Sequence, residues 1–216
     1  MSIPLSSGIL LADTTPGEIL MLNESGSLVP FYIAKHDYES GLNGAGRTLL
    51  VRKDCYDERV FASLGNKFSG SSIDTWLNNT WLKLLDADIQ AAISKTTFYY
   101  TPGKGNNTVT TLQCAVFLLS VTELGKSESY ANTEGTALAP AVCSQLAIAH
   151  RNGIAVTQWT RTPYTINSKS VYYLDTDGSF GRYHEARNRY GSRPAFTLPG
   201  TLVVEQNPDG TYSIAK

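Results

Sequence analysis

Two short framework segments in the last third of the chain constrain its fold more than any other feature. The first, at residues 159–163, reads WTRTP, and the second, at residues 191–198, reads GSRPAFTL. Both combine aromatic, β-branched and proline residues, which are typical of β-strands and their ends. The sequence therefore predicts two strands that hold residues 164–190 between them. Arg161 and Arg193 lie inside these segments, so we expect them to make buried hydrogen bonds to backbone carbonyls.

The stretch between the framework segments is too polar and irregular for a core strand, and it is rich in tyrosine and arginine. Both residue types are common in recognition surfaces, because tyrosine offers rigid contact area and arginine donates several hydrogen bonds in one plane. We therefore expect a ligand-binding surface here, although the same side chains could instead cover a subunit contact or be merely solvated. The candidate residues are Tyr164, Tyr172, Phe180, Arg182, Tyr183, His184, Glu185, Arg187, Arg189 and Tyr190.

The framework segments and the motifs around them also resemble the sequence pattern of a known domain family. WTRTP is followed by YYLDTDG and GSRPAFTL, and it is preceded by GRTLLVRKDCYD, IDTWLN and VFLLSVTELG. Across residues 31–198 this pattern resembles an uncharacterised domain family of Gram-positive gut bacteria and their phages. The resemblance implies the C-type-lectin-like fold that sulfatase-modifying enzymes and retroelement-diversified phage proteins also use. The sulfatase-modifying activity is not expected, because it uses cysteines in the last part of the fold and this chain has none after Cys143.

Composition limits the class of protein. The 216 residues suffice for one well-buried core. Only 17% of the residues are charged and the net charge is −1, so the chain has no electrostatic footprint for nucleic acid. No apolar run approaches the roughly 20 residues of a membrane helix, and the N-terminus lacks the basic region of a signal peptide. We expect synthesis in the bacterial cytoplasm, without membrane insertion.

The order of patterns along the chain predicts an α+β fold, with short helices around mostly antiparallel strands. Residues 1–28 are expected to form an N-terminal arm and hairpin, residues 29–200 the C-type-lectin-like domain, and residues 201–216 a C-terminal hairpin packed on it. Helices are predicted from a cap at Ser72 and over residues 86–94. A capping-box pattern at residues 120–123 predicts another, and a further helix is expected to end at Gly153.

Signals for catalysis and for metal binding are weak. The three cysteines lack metal-ligand spacing, the three histidines are dispersed, and no HExxH or GxSxG motif occurs. Asp175 and Asp177 are the nearest approach to a calcium loop, but a hairpin turn at Asp177-Gly178 accounts for them. We therefore predict neither enzymatic activity nor a cofactor. An enzyme acting on cell-envelope sugar is the weakest alternative.

These observations favour a component of a phage or prophage virion that presents residues 164–190 to a host cell-surface glycan or protein. Other virion proteins are the expected partners, and a homo-oligomer would add avidity. The alternative is a purely structural decoration or tail protein, in which the same surface packs on a neighbouring subunit.

Overall fold

The structure of the protein, a computed structural model, describes residues 8–181 and 186–215. Strands dominate these residues, and short helices lie between them. The strands are β1 (Ile9–Leu10), β2 (Ile19–Glu24), β3 (Ser27–Lys35), β4 (Arg47–Arg52), β5 (Asp57–Val60), β6 (Thr96–Tyr100), β7 (Thr110–Cys114), β8 (Val116–Phe117), β9 (Ala149–Arg151), β10 (Ile154–Val156), β11 (Gln158–Pro163), β12 (Val171–Leu174), β13 (Phe180–Gly181), β14 (Arg189–Ser192), β15 (Ala195–Pro199), β16 (Val203–Gln206) and β17 (Tyr212–Ile214). The α-helices are α1 (Ser40–Asn43), α2 (Ser72–Asn79), α3 (Ala87–Ala92) and α4 (Pro140–Leu146), and 3₁₀ turns occur at Leu11–Asp13 and Trp81–Leu84. The expected α+β class is confirmed.

The larger sheet has eight strands in the order β1-β16-β17-β2-β3-β4-β15-β8. Its pairs are antiparallel except β17 with β2. The two predicted hairpins, β2-β3 and β16-β17, are confirmed, and both belong to this one sheet. Of the expected domain boundaries, residue 28 falls inside β3, whereas residue 200 lies between β15 and β16.

The smaller sheet has five strands in the order β13-β12-β11-β14-β5. Its strand β11 contains the first framework segment, and the predicted hairpin turn before Ser179 joins β12 to β13. The second framework segment is not one strand, as expected, but two. β14 belongs to the five-stranded sheet and β15 to the eight-stranded one, because the chain turns at Arg193 and Pro194 to cross between them.

Two predicted helices are present with small changes. Helix α2 is capped one residue earlier than expected, because the Ser71 hydroxyl, rather than that of Ser72, accepts a hydrogen bond from the Asp74 amide. Helix α3 lies within the predicted residues 86–94, and Ile89 and Ile93 are buried.

Two other helix predictions are wrong. Ser120 and Glu123 exchange the side-chain to backbone hydrogen bonds of a capping box, but the chain makes only turns there. The helix expected to end at Gly153 ends at Leu146 instead, as α4, and β9 pairs with β10 shortly afterwards. Asn152 and Gly153 have φ of 52° and 77°, so the expected helix stop is a hairpin turn.

The main core lies against the eight-stranded sheet. Phe31, Trp81 and Phe196 meet there with ring centroids 5.5–6.3 Å apart. Trp81 is fully buried, and its indole N–H donates to Glu24. Trp76 is only half-buried. Within the described residues, no helix has the length and apolar character to span a membrane.

Candidate binding surface

The framework segments are held by two buried arginines, and the expected roles of Arg161 and Arg193 are confirmed. Arg161 donates to the Leu118 carbonyl at 2.8 Å and to the Tyr99 carbonyl at 3.0 Å. Arg193 donates to the carbonyls of Arg52, Leu146 and Lys53. Because each guanidinium satisfies carbonyls from separate segments, the ends of the loops that lie between the framework segments are fixed.

A buried cluster of carboxylates surrounds Arg161, which the sequence did not indicate. Glu123 accepts two hydrogen bonds from the guanidinium, at 2.6 and 3.0 Å, and one from the Tyr38 hydroxyl. Glu134 accepts from the Thr101 amide and the Thr162 hydroxyl, and lies 3.8 Å from Arg161. Burial raises the pKa of Glu134, against the lowering effect of Arg161. The cluster ties β11 to residues 120–134 in the interior of the protein.

Two of the candidate binding residues lie inside the protein. Tyr164 is 2% exposed and Tyr172 is fully buried, and their rings meet edge to face at 5.9 Å. Together with Val121 they form a second, smaller core. The expectation that Tyr164 and Tyr172 are displayed for a ligand is therefore wrong. Both side chains are core residues on which the loops pack.

Two further aromatic candidates are half-buried. Tyr190 packs against Trp159, with ring centroids 4.6 Å apart, and against Tyr173, at 5.2 Å. Burial raises the pKa of the Tyr190 hydroxyl. Phe180 packs against both hydrophobic clusters and lines a cavity beside α4. The ring of Tyr190 thus serves mainly to anchor β14, and Phe180 belongs to a different part of the surface.

Two arginine candidates are exposed, as expected of binding residues. Arg187 donates through Nε to the Ser63 carbonyl at 3.2 Å, and Arg189 donates to the Glu58 carbonyl at 2.7 Å. Both contacts join β14 and the residues before it to the segment that contains β5. Four further candidates, Arg182, Tyr183, His184 and Glu185, lie outside the described residues.

A buried asparagine that sequence reasoning missed organises the loops beside Arg187. The Asn66 side-chain amide donates to the carbonyls of Tyr164, Asn167 and Ser170 at 2.9–3.2 Å. Its carbonyl accepts from the Lys104 amide at 2.8 Å. One side chain therefore joins its own loop to two others, whose bonded residues lie 38 to 104 residues from Asn66 in the sequence.

The loops around Asn66 form a cationic surface with two depressions. The smaller has a volume of about 180 Å³ and the larger, open one about 550 Å³. They share Leu64, and no carboxylate of the described residues lines either of them. We call this the Asn66 surface and define it by Leu64, Gly65, Lys104, Lys169, Ala186 and Arg187.

The cations of the Asn66 surface are available to a ligand. Lys104, Lys169 and Arg187 are exposed, and within the described ranges none of them forms an ion pair. The Lys104 side chain packs directly on Gly65. A Cβ at position 65 would lie 2.3 Å from Lys104 Cε, so only glycine leaves room for this contact. Leu64 is 68% exposed beside them.

Sequence reasoning named only Arg187 among these cations. Residues 102–108, which contain Lys104, have the composition of a turn, and nothing else in their sequence indicates a binding site. Lys169 belongs to the expected binding segment but was not selected. The signal that would have found them is the hydrogen bonding of Asn66, which only the folded chain shows.

The larger depression also borders Trp76, whose ring contacts Arg59. The Arg59 guanidinium lies 3.3 Å from the ring centroid and is paired with Asp57. This cation is therefore already neutralised. Across residues 8–181 and 186–215, no group of three or more His, Cys, Asp and Glu side chains is placed to hold a metal ion.

The fold and this surface define an α+β domain of two main sheets, in which distant loops converge on a cationic surface. Residues 45–200 match the family model described as a domain of unknown function, DUF6273. The match covers most of the chain, which therefore belongs to that family. Neither the curated proteins nor the solved structures include a significant match to the chain.

Proposed function

We propose that this chain is a component of a phage or prophage virion and attaches to a host cell-surface glycan or protein through the Asn66 surface. The observation that carries the proposal is the convergence of Lys104, Lys169 and Arg187 on loops that one buried asparagine fixes. Three exposed cations, with no carboxylate among the described residues that line the depressions, attract anionic groups. Fixed loops lower the entropy that binding costs.

The C-type-lectin-like fold is part of this proposal. It is supported by the resemblance across residues 31–198 and by the arrangement of short helices around mostly antiparallel strands. In the resemblance, the stretch between the two framework segments is the part that binds. Lys169 and Arg187 come from that stretch, whereas Leu64 and Lys104 extend the surface beyond it.

The surface chemistry fits an acidic host glycan best. Lysine ammonium groups act as point charges, and the Arg187 guanidinium can donate in parallel to a carboxylate or phosphate. Leu64 adds apolar contact area next to these charges. Single contacts of this kind are weak, so a homo-oligomer that carries several copies would supply the avidity needed for attachment.

Adsorption to candidate host cells tests the proposal. The native chain is compared with a variant in which Lys104, Lys169 and Arg187 are each replaced by serine. A control variant carries serine at Lys83, Lys95 and Arg151, which lie outside the Asn66 surface and lose the same charge. We expect the native chain and the control variant to adsorb and the Asn66-surface variant to lose adsorption about tenfold or more. Equal adsorption by all three chains, at equal melting temperatures, would overturn the proposal.

A second candidate function, structural virion protein, is favoured by one edge of the eight-stranded sheet. Strand β1 is the last described strand there, and it places Leu10 opposite Val203. Both side chains are more than one-third exposed, as is Ile9. An exposed apolar edge strand can pair with a strand of a neighbouring subunit.

Association with particles separates the two functions. Replacing Leu10 and Val203 by lysine blocks edge pairing through charge and leaves the Asn66 surface intact. If the chain is mainly structural, this double variant loses particle association while the serine variant of the Asn66 surface keeps it. If it is mainly a binding protein, the serine variant still joins particles but the particles no longer adsorb to cells.

A further inference from the structure

A cavity on another part of the molecule is formed by α4, the chain after Glu123 and the β12-β13 hairpin. Its volume is about 370 Å³, within the range of roughly 300–1,000 Å³ found for small-molecule sites. Its apolar walls come from both sides: Leu124, Leu138 and Pro140 on one side, Leu174 and Phe180 on the other. None of its described lining residues belongs to the Asn66 surface.

One charge faces this cavity. Lys126 is the single charged residue among its described lining residues, and it forms no ion pair with any carboxylate in the described ranges. Glu128 lines a separate depression of about 80 Å³, which Lys126 also borders. Lys126 and Cys143 both line the cavity, and burial raises the pKa of the Cys143 thiol while Lys126 is among the groups that oppose the shift. The cavity therefore combines an apolar body with one uncompensated positive charge.

We propose that this cavity binds a small amphipathic anion, with an aliphatic or aromatic body and one carboxylate. The body contacts the leucines and Phe180, while the carboxylate pairs with the Lys126 ammonium at the rim. Burial of the body supplies most of the affinity, because removing apolar surface from water is favourable. Lys126 selects the anion over a neutral molecule of the same length.

A second depression provides an internal control. It has a volume of about 450 Å³ and also holds a cysteine and a lysine, Cys114 and Lys95. Unlike the cavity beside α4, it is lined by a carboxylate, that of Asp74. Asp74 repels an anion there and most of the other lining side chains are polar, so the Cys114 thiol reports on a depression that should not take an amphipathic anion.

The experiment measures alkylation of Cys143 and Cys114 by N-ethylmaleimide in the full chain, with octanoate or octanamide as the probe. Peptide mass spectrometry follows both thiols in one sample. We expect octanoate to slow alkylation of Cys143 about tenfold at concentrations that leave Cys114 unaffected. The neutral octanamide should require about tenfold higher concentration for the same protection, and Lys126→Met should remove that difference, whereas Lys126→Arg keeps it.

The proposal fails if octanoate slows both thiols equally, since that shows a general effect on the protein. It also fails if octanamide protects as well as octanoate, or if Lys126→Met keeps the preference for the anion. In the Lys104→Met variant, which changes the Asn66 surface, octanoate should protect Cys143 from alkylation as well as it does in the native chain. Loss of protection in that variant would equally contradict a separate site.

Discussion

Arg161 and Glu123 face each other in the interior of the protein, joined by two hydrogen bonds of 2.6 and 3.0 Å between side chains that are fully buried. The Tyr38 hydroxyl donates to the same carboxylate at 2.5 Å. Burying two charges costs a great deal of solvation, so this pair contributes more to specifying the packing than to net stability. It fixes β11, and with it the start of the stretch at residues 164–190.

Removing one partner of this pair should be strongly destabilising. Arg161→Met leaves Glu123 and Glu134 buried without a cation, and such losses cost about 3–5 kcal/mol. Urea unfolding measures the change in the free energy of unfolding. Arg151→Met is the control, because Arg151 is 41% exposed and its contact with Glu58 is 3.6 Å, a pair worth about 1 kcal/mol at most. Similar losses in the two variants would show that the buried pair is not needed.

The stability of the protein should fall with rising pH in a way that depends on Glu134. Burial raises the pKa of this carboxyl above its ordinary value of 4.5, so the folded state binds the proton more tightly than the unfolded state. Its contribution is therefore fully present below pH 4.5 and is lost as the pH rises through the folded-state pKa. Glu134→Gln cannot lose a proton and should be spared this loss.

The measurement is the free energy of unfolding of both chains from about pH 4 to about pH 8. The native chain should lose stability relative to Glu134→Gln as the pH rises. The groups facing Glu134, which are Arg161 with Glu123 and Tyr38 behind it, are present in both chains, so the difference isolates this carboxyl. A difference that stays constant across the range would rule out the shift.

The loops of the Asn66 surface should depend on the side-chain NH₂ group of Asn66 for their fixed positions. Asn66→Asp keeps the oxygen that accepts from Lys104 but places a second oxygen against three carbonyls, which should cost about 1–3 kcal/mol or more. Hydrogen exchange should become faster at residues 164–170 and at the Ala186 amide, which donates to Lys169. Exchange in the β2-β3 hairpin should not change. Uniform acceleration, or none, would contradict a local role for Asn66.

The parts of the fold that were predictable rest on local patterns. Apolar segments joined by turn residues predicted the β2-β3 and β16-β17 hairpins, and the position of Arg161 inside the first framework segment predicted its buried structural role. The error at Tyr172 has a physical cause. Tyr172 was assigned to the surface because residues 164–190 are polar and irregular overall, but all four residues of β12 are buried since both faces of the strand are covered.

The candidate site was less predictable, because its members meet only through tertiary contacts. The hydrogen bond of Asn66 to Ser170 spans 104 residues, and that of Arg187 to Ser63 spans 124. No pattern among neighbouring residues indicates contacts between residues so far apart in the sequence. Helix predictions near Ser120 and Gly153 failed for a related reason: capping residues and glycines also satisfy turns, and tertiary pairing of β9 with β10 decided the outcome.

The salt dependence of adsorption tests the central claim most directly. The native chain, the serine variant of the Asn66 surface and the control variant at Lys83, Lys95 and Arg151 are compared on the same host cells at low and high ionic strength. If Lys104, Lys169 and Arg187 bind an acidic ligand, adsorption of the native chain and of the control variant should weaken steeply with salt. The serine variant should adsorb weakly at every salt concentration. Adsorption of the native chain that is insensitive to salt, or equal to that of the serine variant, would contradict binding through this surface.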